Sequence, residues 1–272
     1  MKKELCAGVV NAKNVWRNNY RHTMMLLERL TKHVDPRRLV LGTSCSLLHV
    51  PYTVTRETGL GEEHRGQLAF AEEKLDELIA LRGLLVTEDY THHPLFIRNQ
   101  AVMEERRAYH RRFRNETVRR RVGQLTEADW LRLPPLKERM PLQQARLSLP
   151  ILPTTTIGSF PQTPAIRRLR NDFKQGRITR EAYTEELRRQ IRRIIELQES
   201  IGLDVLVHGE FERNDMVEYF GKNLEGFLVT EHGWVQSYGT RCVKPPIIFG
   251  DVWRSRPLTV DWIAYAQSLT AK

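Results

Sequence analysis

Prolines at positions 134, 135, 141, 150 and 153 crowd the middle of the 272-residue chain, and they limit its fold more than any other feature. A proline lacks the amide donor of a regular element and clashes with the preceding helical turn. No long helix and no central strand runs through such a stretch, so residues 134–152 read as a linker. It separates a part spanning 1–133 from a part spanning 153–272. The length suits two small domains or one large one, and a single (β/α)₈ barrel, typically about 250 residues, also fits.

On both sides of the linker, short apolar runs alternate with amphipathic ones. Residues 5–11 read as a buried strand, and 18–33 as a helix with Met24, Leu27 and Leu30 at helical spacing. Residues 39–41 read as a second strand closed by the polar run 42–46. Residues 67–84 form an amphipathic helix, with Leu68, Leu75, Ile79 and Leu84 near one face. Thr126 and Asp129 have the spacing of a capping box. After the linker, 152–157 is a β-branched strand that ends in the turn Gly158-Ser159-Phe160-Pro161. A helix follows over about 164–173. Thr179 then caps a longer helix that buries Leu187, Ile191, Ile194 and Ile195, and Gly202 ends it. Residues 204–207 form the next strand, 247–249 a further one, and 259–269 a final helix. Strand, helix, strand recurs in both parts, so the fold class is α/β with parallel βαβ units.

Hydrophobic residues make up 40% and charged ones 28%, a globular composition that excludes collagen-like, mucin-like and disordered chains. No run approaches the roughly 18 apolar residues of a membrane helix. The apolar run at 5–10 is too short for a signal peptide. Cys6, Cys45 and Cys242 are odd in number and far apart, which suits neither a disulfide framework nor a Cys-x-x-Cys zinc site. Reduced thiols in the cytoplasm are the expectation. Lys and Arg number 43 against 33 Asp and Glu, a formal charge of +10. That balance attracts nucleic acid, an acidic membrane surface or an anionic substrate. The run from Arg98 to Arg121 holds nine arginines and three glutamates. It reads as a solvated helix face, with a nucleic-acid-binding helix as the alternative.

Ligands of parallel α/β folds bind at the C-terminal ends of strands. Four loops qualify. The first is 43–46 with His49, and the second is Gly158-Ser159. The third runs from His208 through Gly209 and Glu210 to Asp215, and the fourth is 237–242 with Arg241 and Cys242. His208 and Glu210, two apart at a strand end, share a face. A carboxylate there can bind an ammonium group or act as acid or base, or it can form a structural salt bridge. The zinc-deaminase reading of His-x-Glu fails for want of a downstream Pro-Cys-x-x-Cys. Gly158 directly precedes Ser159, so the G-x-S-x-G nucleophile elbow is absent. A hydroxyl with backbone amides suits a bound carboxylate instead. Cys45 with His49 reads as structural more readily than as a metal pair. His92 and His93 are adjacent and point apart, and no glycine-rich phosphate loop occurs.

Longer runs go further. Leu-Pro-Thr-Thr-Thr-Ile-Gly-Ser-Phe-Pro-Gln-Thr at 152–163 closely resembles the opening of the catalytic domain of cobalamin-independent methionine synthase. So do residues 202–210, 212–221 and 233–246. Residues 43–51 and Asn14-Val15-Trp16 resemble the end of that family's N-terminal domain. The resemblance covers nearly the whole chain.

The resemblance implies pieces of two (β/α)₈ TIM-type barrels joined by a linker. Residues 1–133 would be the C-terminal part of the first barrel, 134–152 the interdomain linker, and 153–272 the N-terminal part of the catalytic barrel. The family moves a methyl group from 5-methyltetrahydrofolate, carrying a polyglutamate tail, to homocysteine, giving methionine without cobalamin. A Zn²⁺ ion holds the homocysteine sulfur as the nucleophilic thiolate. By position, Ile157, Gly158, Ser159 and Glu210 would meet homocysteine or methionine, with Glu210 on the ammonium group. Arg241 and Cys242 would contact the folate, whose acidic tail suits the positive chain.

The family's zinc ligands, His, Cys, Glu and Cys, are expected beyond Lys272, and its N-terminal folate-binding segment ahead of this sequence. The resemblance therefore implies a central fragment with no metal ligand and no catalytic residue of its own, inactive alone. Such a piece is expected to be marginally folded, because open parallel sheets leave strand edges and apolar faces uncovered. The implied partners are homocysteine and the 5-methyltetrahydropteroyl polyglutamate, with neither membrane nor nucleic acid. The complete enzyme is expected to be monomeric and cytoplasmic. The competing readings are a non-catalytic basic module for a polyanion and one half of a split enzyme.

Overall fold

A computed structural model describes residues 3–272. Strand β1 (Leu5–Val10) pairs in parallel with β2 (Leu39–Thr43), with Leu5 opposite Leu39 and Ala7 opposite Leu41. Helix α1 (Tyr20–Thr31) lies between them in sequence, completing the expected strand–helix–strand order. The side chain of Asn19 caps α1 by accepting from the His22 amide. Met24 and Leu27 of α1 pack with Val10 and with Ala80, Leu81 and Leu84.

Those last three residues belong to helix α3 (Ala71–Leu85), which follows the single turn α2 (Glu62–Arg65). The face that α3 buries differs from the expected one. Leu68 lies ahead of the helix, bridged to Trp16, and Leu75 and Ile79 point into solvent. Leucine and isoleucine occur on several sides of α3, so spacing alone does not select a face. Contact with α1 selects Ala80, Leu81 and Leu84, and carries Lys74 and Glu77 inside with them.

The arginine-rich run forms α4 (Pro94–Arg112) and α5 (Glu116–Gly123). α4 buries Phe96, Asn99 and Tyr109, and Arg106 turns inward. Arg112 pairs with Glu63, Arg114 with Glu116 and Arg119 with Asp251. The proline-rich stretch holds one exposed helix, α6 (Leu136–Leu147), with Pro141 inside it.

The chain condenses into two compact units along a line other than the prolines. One unit comprises the described residues up to Arg119 together with Leu224–Trp253. The other comprises Arg120–Asn223 and Arg254–Lys272. In the first, β3 (Glu225–Leu228) pairs antiparallel with β6 (Ile247–Trp253), and β4 (Val235–Gln236) with β5 (Cys242–Val243). Leu228 and Ile247 share a core with Val50, Val54, Leu68 and Phe70. Burial of these side chains binds 224–253 to a segment far away in sequence.

The second unit is built on α7 (Pro164–Lys174), α8 (Arg180–Ile201), α9 (Met216–Asn223) and α10 (Val260–Gln267). Thr179 caps α8 and Gly202 closes it in the left-handed conformation, as the sequence predicts. Leu187, Ile191 and Ile195 of α8 pack with Ile166, Phe211 and Ala266. The strands expected at 152–157 and 204–207 do not form a ladder. They run as irregular segments joined by a few hydrogen bonds, with Leu152 and Ile157 in solvent. Parallel strands depend on cover over both faces, and these side chains lack it.

The architecture is thus mixed α/β. Among the described residues each sheet has two strands and no barrel closes. No described helix is long and apolar enough to cross a membrane.

The α3 packing separates two substitutions. Leu84→Ala, at a fully buried position, should cost about 2–5 kcal/mol. Ile79→Ala, at a position 70% exposed, should cost less than about 0.5 kcal/mol. Urea denaturation of the two variants checks this, and equal losses would refute the assigned face.

Candidate functional site

In the second unit, segments 154–160 and 204–210 are laced together. The Thr154 carbonyl accepts from the amides of Asp204 (3.1 Å) and Val205 (3.0 Å). The Asp204 carboxylate accepts from the Thr154 amide and hydroxyl, each at 2.7 Å. Those two hydrogen bonds hold the Asp204 carboxyl below its ordinary range. Further along, the Phe160 amide donates to the Gly209 carbonyl (2.9 Å), and Ser159 bridges Gly209 in parallel register.

Val207 has no ladder partner. The buried Gln198 side chain on α8 serves both of its backbone groups instead. Its Oε1 accepts from the Val207 amide (3.0 Å) and its Nε2 donates to the Val207 carbonyl (2.7 Å). This satisfies groups that burial would otherwise leave costly. Gln198 extends the Leu187–Ile191–Ile195 stripe, and a polar residue on an apolar stripe was the signal for it.

The backbone then turns sharply. Gly209 has φ +87° and Glu210 φ +57°, a conformation uncommon for any residue but glycine. Two left-handed residues in succession end the strand alternation, so His208 and Glu210 do not share a face as expected. His208 Nε2 instead meets Glu212 Oε1 at 3.3 Å. Glu210 Oε2 accepts from Arg213 Nε at 2.9 Å.

Glu210 Oε1 faces Gly158, where a Cβ would stand 3.2 Å from it. Gly158 itself has φ +108°. Ile157 and Ser159 flank it on the surface. The structure thus places Glu210 beside Gly158, with Ile157 and Ser159 as the chain neighbours of that glycine.

One residue at this site has no signal in the sequence. Arg170 of α7 staples the turn by donating to Gln162 Oε1 (2.7 Å) and to the carbonyls of Phe211 (3.1 Å) and Arg213 (3.2 Å). Glu212 is buried, and its Oε2 has no hydrogen-bond partner. Burial, with the Glu212 charge nearby, pushes the Tyr183 and Tyr219 phenols upward.

Arg241 and Cys242 lie in the other compact unit, at the β4–β5 hairpin. The Ser237 amide donates to the Arg241 carbonyl (2.8 Å), and Cys242 is exposed opposite Gln236. The hairpin's approach is anchored by the buried Glu57 carboxylate, which accepts from the amides of Glu231 (2.7 Å) and His232 (3.0 Å). His49 Nδ1 lies 3.0 Å from the Gln236 carbonyl, and Cys45 is exposed. His92 pairs with Asp89, and His93 caps α4. Among the described residues, no three His, Cys, Asp or Glu side chains converge as metal ligands. The residues present therefore do not fit a zinc centre.

Residues 152–272 match the catalytic domain of the cobalamin-independent synthase. Over 266 residues the chain is 52% identical to the 5-methyltetrahydropteroyltriglutamate–homocysteine methyltransferase of Bifidobacterium longum. Over nearly its whole length the chain is thus similar to cobalamin-independent synthases. That alignment covers 97% of this chain and 34% of the relative. The enzymes of the same name from Campylobacter jejuni and Lactococcus lactis are 50% and 49% identical, over 99% of this chain and 35% and 34% of theirs. The chain thus spans about a third of the length of the curated relatives it matches.

The turn at Gly158 makes a direct prediction. Gly158→Ala forces a side chain into left-handed backbone and against Glu210. It should destabilise the chain by about 1–2 kcal/mol. Gly176→Ala, also left-handed but with open space around it, should show the backbone cost alone. Thermal unfolding of both variants measures the difference.

Proposed function

We propose that this chain is part of a methyltransferase that moves the methyl group of a 5-methyltetrahydropteroyl polyglutamate to homocysteine. In this reading the face formed by Ile157, Gly158, Ser159 and Glu210 receives the amino acid. The observation that carries it is the approach of Glu210 Oε1 to the bare backbone of Gly158. Arg213 occupies Oε2 and fixes the carboxylate plane. Oε1 is then presented to an ammonium group, a charge-assisted bond that neither a neutral analogue nor an anion can replace. The exposed Ser159 hydroxyl offers a donor for the substrate carboxylate. Glycine at 158 lets the substrate approach the main chain, as a larger residue would not.

Arg241 and Cys242 supply the folate contacts in this reading, and the formal charge of +10 favours an acidic tail. The chain's residues bind and orient, and the chain alone transfers no methyl group. No step is assigned to a metal, because the described residues do not fit one. The working compartment is the cytoplasm.

The test uses the chain as it stands. Homocysteine or methionine at about ten times its Kd, under reducing conditions, should raise the unfolding midpoint by about 3 °C. 4-Mercaptobutyrate, which lacks the ammonium group, should give no rise, and Glu210→Gln should abolish the rise with either amino acid. No rise with either amino acid on the unmodified chain would overturn this reading.

A further inference from the structure

The first compact unit contains a cavity of about 800 Å³ that the methyl-transfer reading does not use. Its volume falls in the range of small-molecule sites. Arg17, Lys74, Arg106 and Arg119 all line it, together with Trp16.

The charges of this wall are not balanced. Arg119 is matched by Asp251, with Nε 2.8 Å and Nη2 2.6 Å from its carboxylate oxygens. Arg106 is held by neutral acceptors alone, Gln67 Oε1 (3.0 Å), the Gln67 carbonyl (3.1 Å) and the Arg17 carbonyl (3.0 Å). Lys74 is 1% exposed, and its ammonium has one acceptor, the Trp16 carbonyl at 3.2 Å. An ammonium has three donors to place. Among the described residues no carboxylate stands within 4.0 Å of Lys74 or Arg106 as a salt-bridge partner. Arg17 Nε is buried without a partner. Glu73, also near Lys74, is taken up by the Thr53 hydroxyl and the Val54 and Phe70 amides, which leaves Glu77. Its Oε1 accepts from the Asn18 amide (2.7 Å), and its Oε2 has no partner.

Three cations thus face one carboxylate that touches none of them. Burial of an unpaired charge is strongly unfavourable, and a bound counter-charge relieves it. The mere presence of a buried Lys in a core would call for hydrogen bonds to all three of its donors. Here Lys74 and Arg17 both line a cavity wide enough for a ligand.

We propose that this cavity binds a small organic anion bearing a carboxylate or phosphate group, held against Lys74 Nζ and Arg17. The assignment rests on the first unit alone and stands or falls apart from the homocysteine site.

Succinate and inorganic phosphate are the probes, titrated calorimetrically into the chain, with sodium chloride at matched ionic strength as the control. At least one of the two should bind saturably with a stoichiometry near one, and the tighter of them identifies the anionic group. Lys74→Met and Arg17→Gln should each weaken that binding at least tenfold while circular dichroism shows a folded chain. If Lys74→Met does not fold, Arg17→Gln decides. The proposal is overturned if neither probe binds saturably, or if the folded variants bind as the unmodified chain does.

Discussion

Val207 lies half-buried in the second unit without a strand beside it, and its amide and carbonyl both go to the side chain of Gln198. That pair of bonds, with the lacing of Thr154 to Asp204 and of Phe160 to Gly209, fixes where the chain turns at 209–210. The position of the Glu210 carboxylate follows from this turn. If Gln198 released Val207, two backbone groups would lose their partners, and the segment carrying Glu210 would lose its register against Gly158. Arg170 completes the frame from the other side by gripping the carbonyls of Phe211 and Arg213. The site is therefore held by side chains of helices where a fuller sheet would use neighbouring strands.

Much of this frame was legible in the sequence. Thr179 and Gly202 mark the ends of α8 because their chemistry is local: a hydroxyl that caps, and a residue free to adopt positive φ. The buried stripe of α8 was legible because its opposite face is polar. The grouping of Ile157, Gly158, Ser159 and Glu210 came from the family resemblance, and the structure sets Glu210 against Gly158. What stayed hidden depends on contacts distant in sequence. The face of α3 is chosen by α1, and no spacing rule distinguishes Ile79 from Ala80 on a helix with apolar residues on several sides. His208 and Glu210 part company because two successive residues turn left-handed. Only glycine at 209 hints at this, since its added Cβ would lie 2.6 Å from Phe211. The pairing of β6 with β3 and its burial against Val50, Val54 and Phe70 were likewise invisible, because sequence position places β6 after the linker.

Electrostatics differ between the two units. Around Glu210 each charge has a near partner: Arg213 for Glu210, and His208 for one oxygen of Glu212. Around Lys74 and Arg106 the cations have only neutral acceptors, and burial lowers the pKa of both. The formal charge of +10 is thus more than a solvated coat on arginine-rich helices. Part of it is carried indoors, where desolvation makes each unmatched charge matter most.

The central claim is that the Gly158 turn and Glu210 form an amino-acid site. The most direct measurement is an amide-resolved NMR titration of the ¹⁵N-labelled chain with methionine. The account predicts saturable shifts at the amides of Gly158, Ser159, Gly209 and Glu210, which vanish in Glu210→Gln. Saturable shifts that avoid these four amides, or no shifts at all, would contradict it.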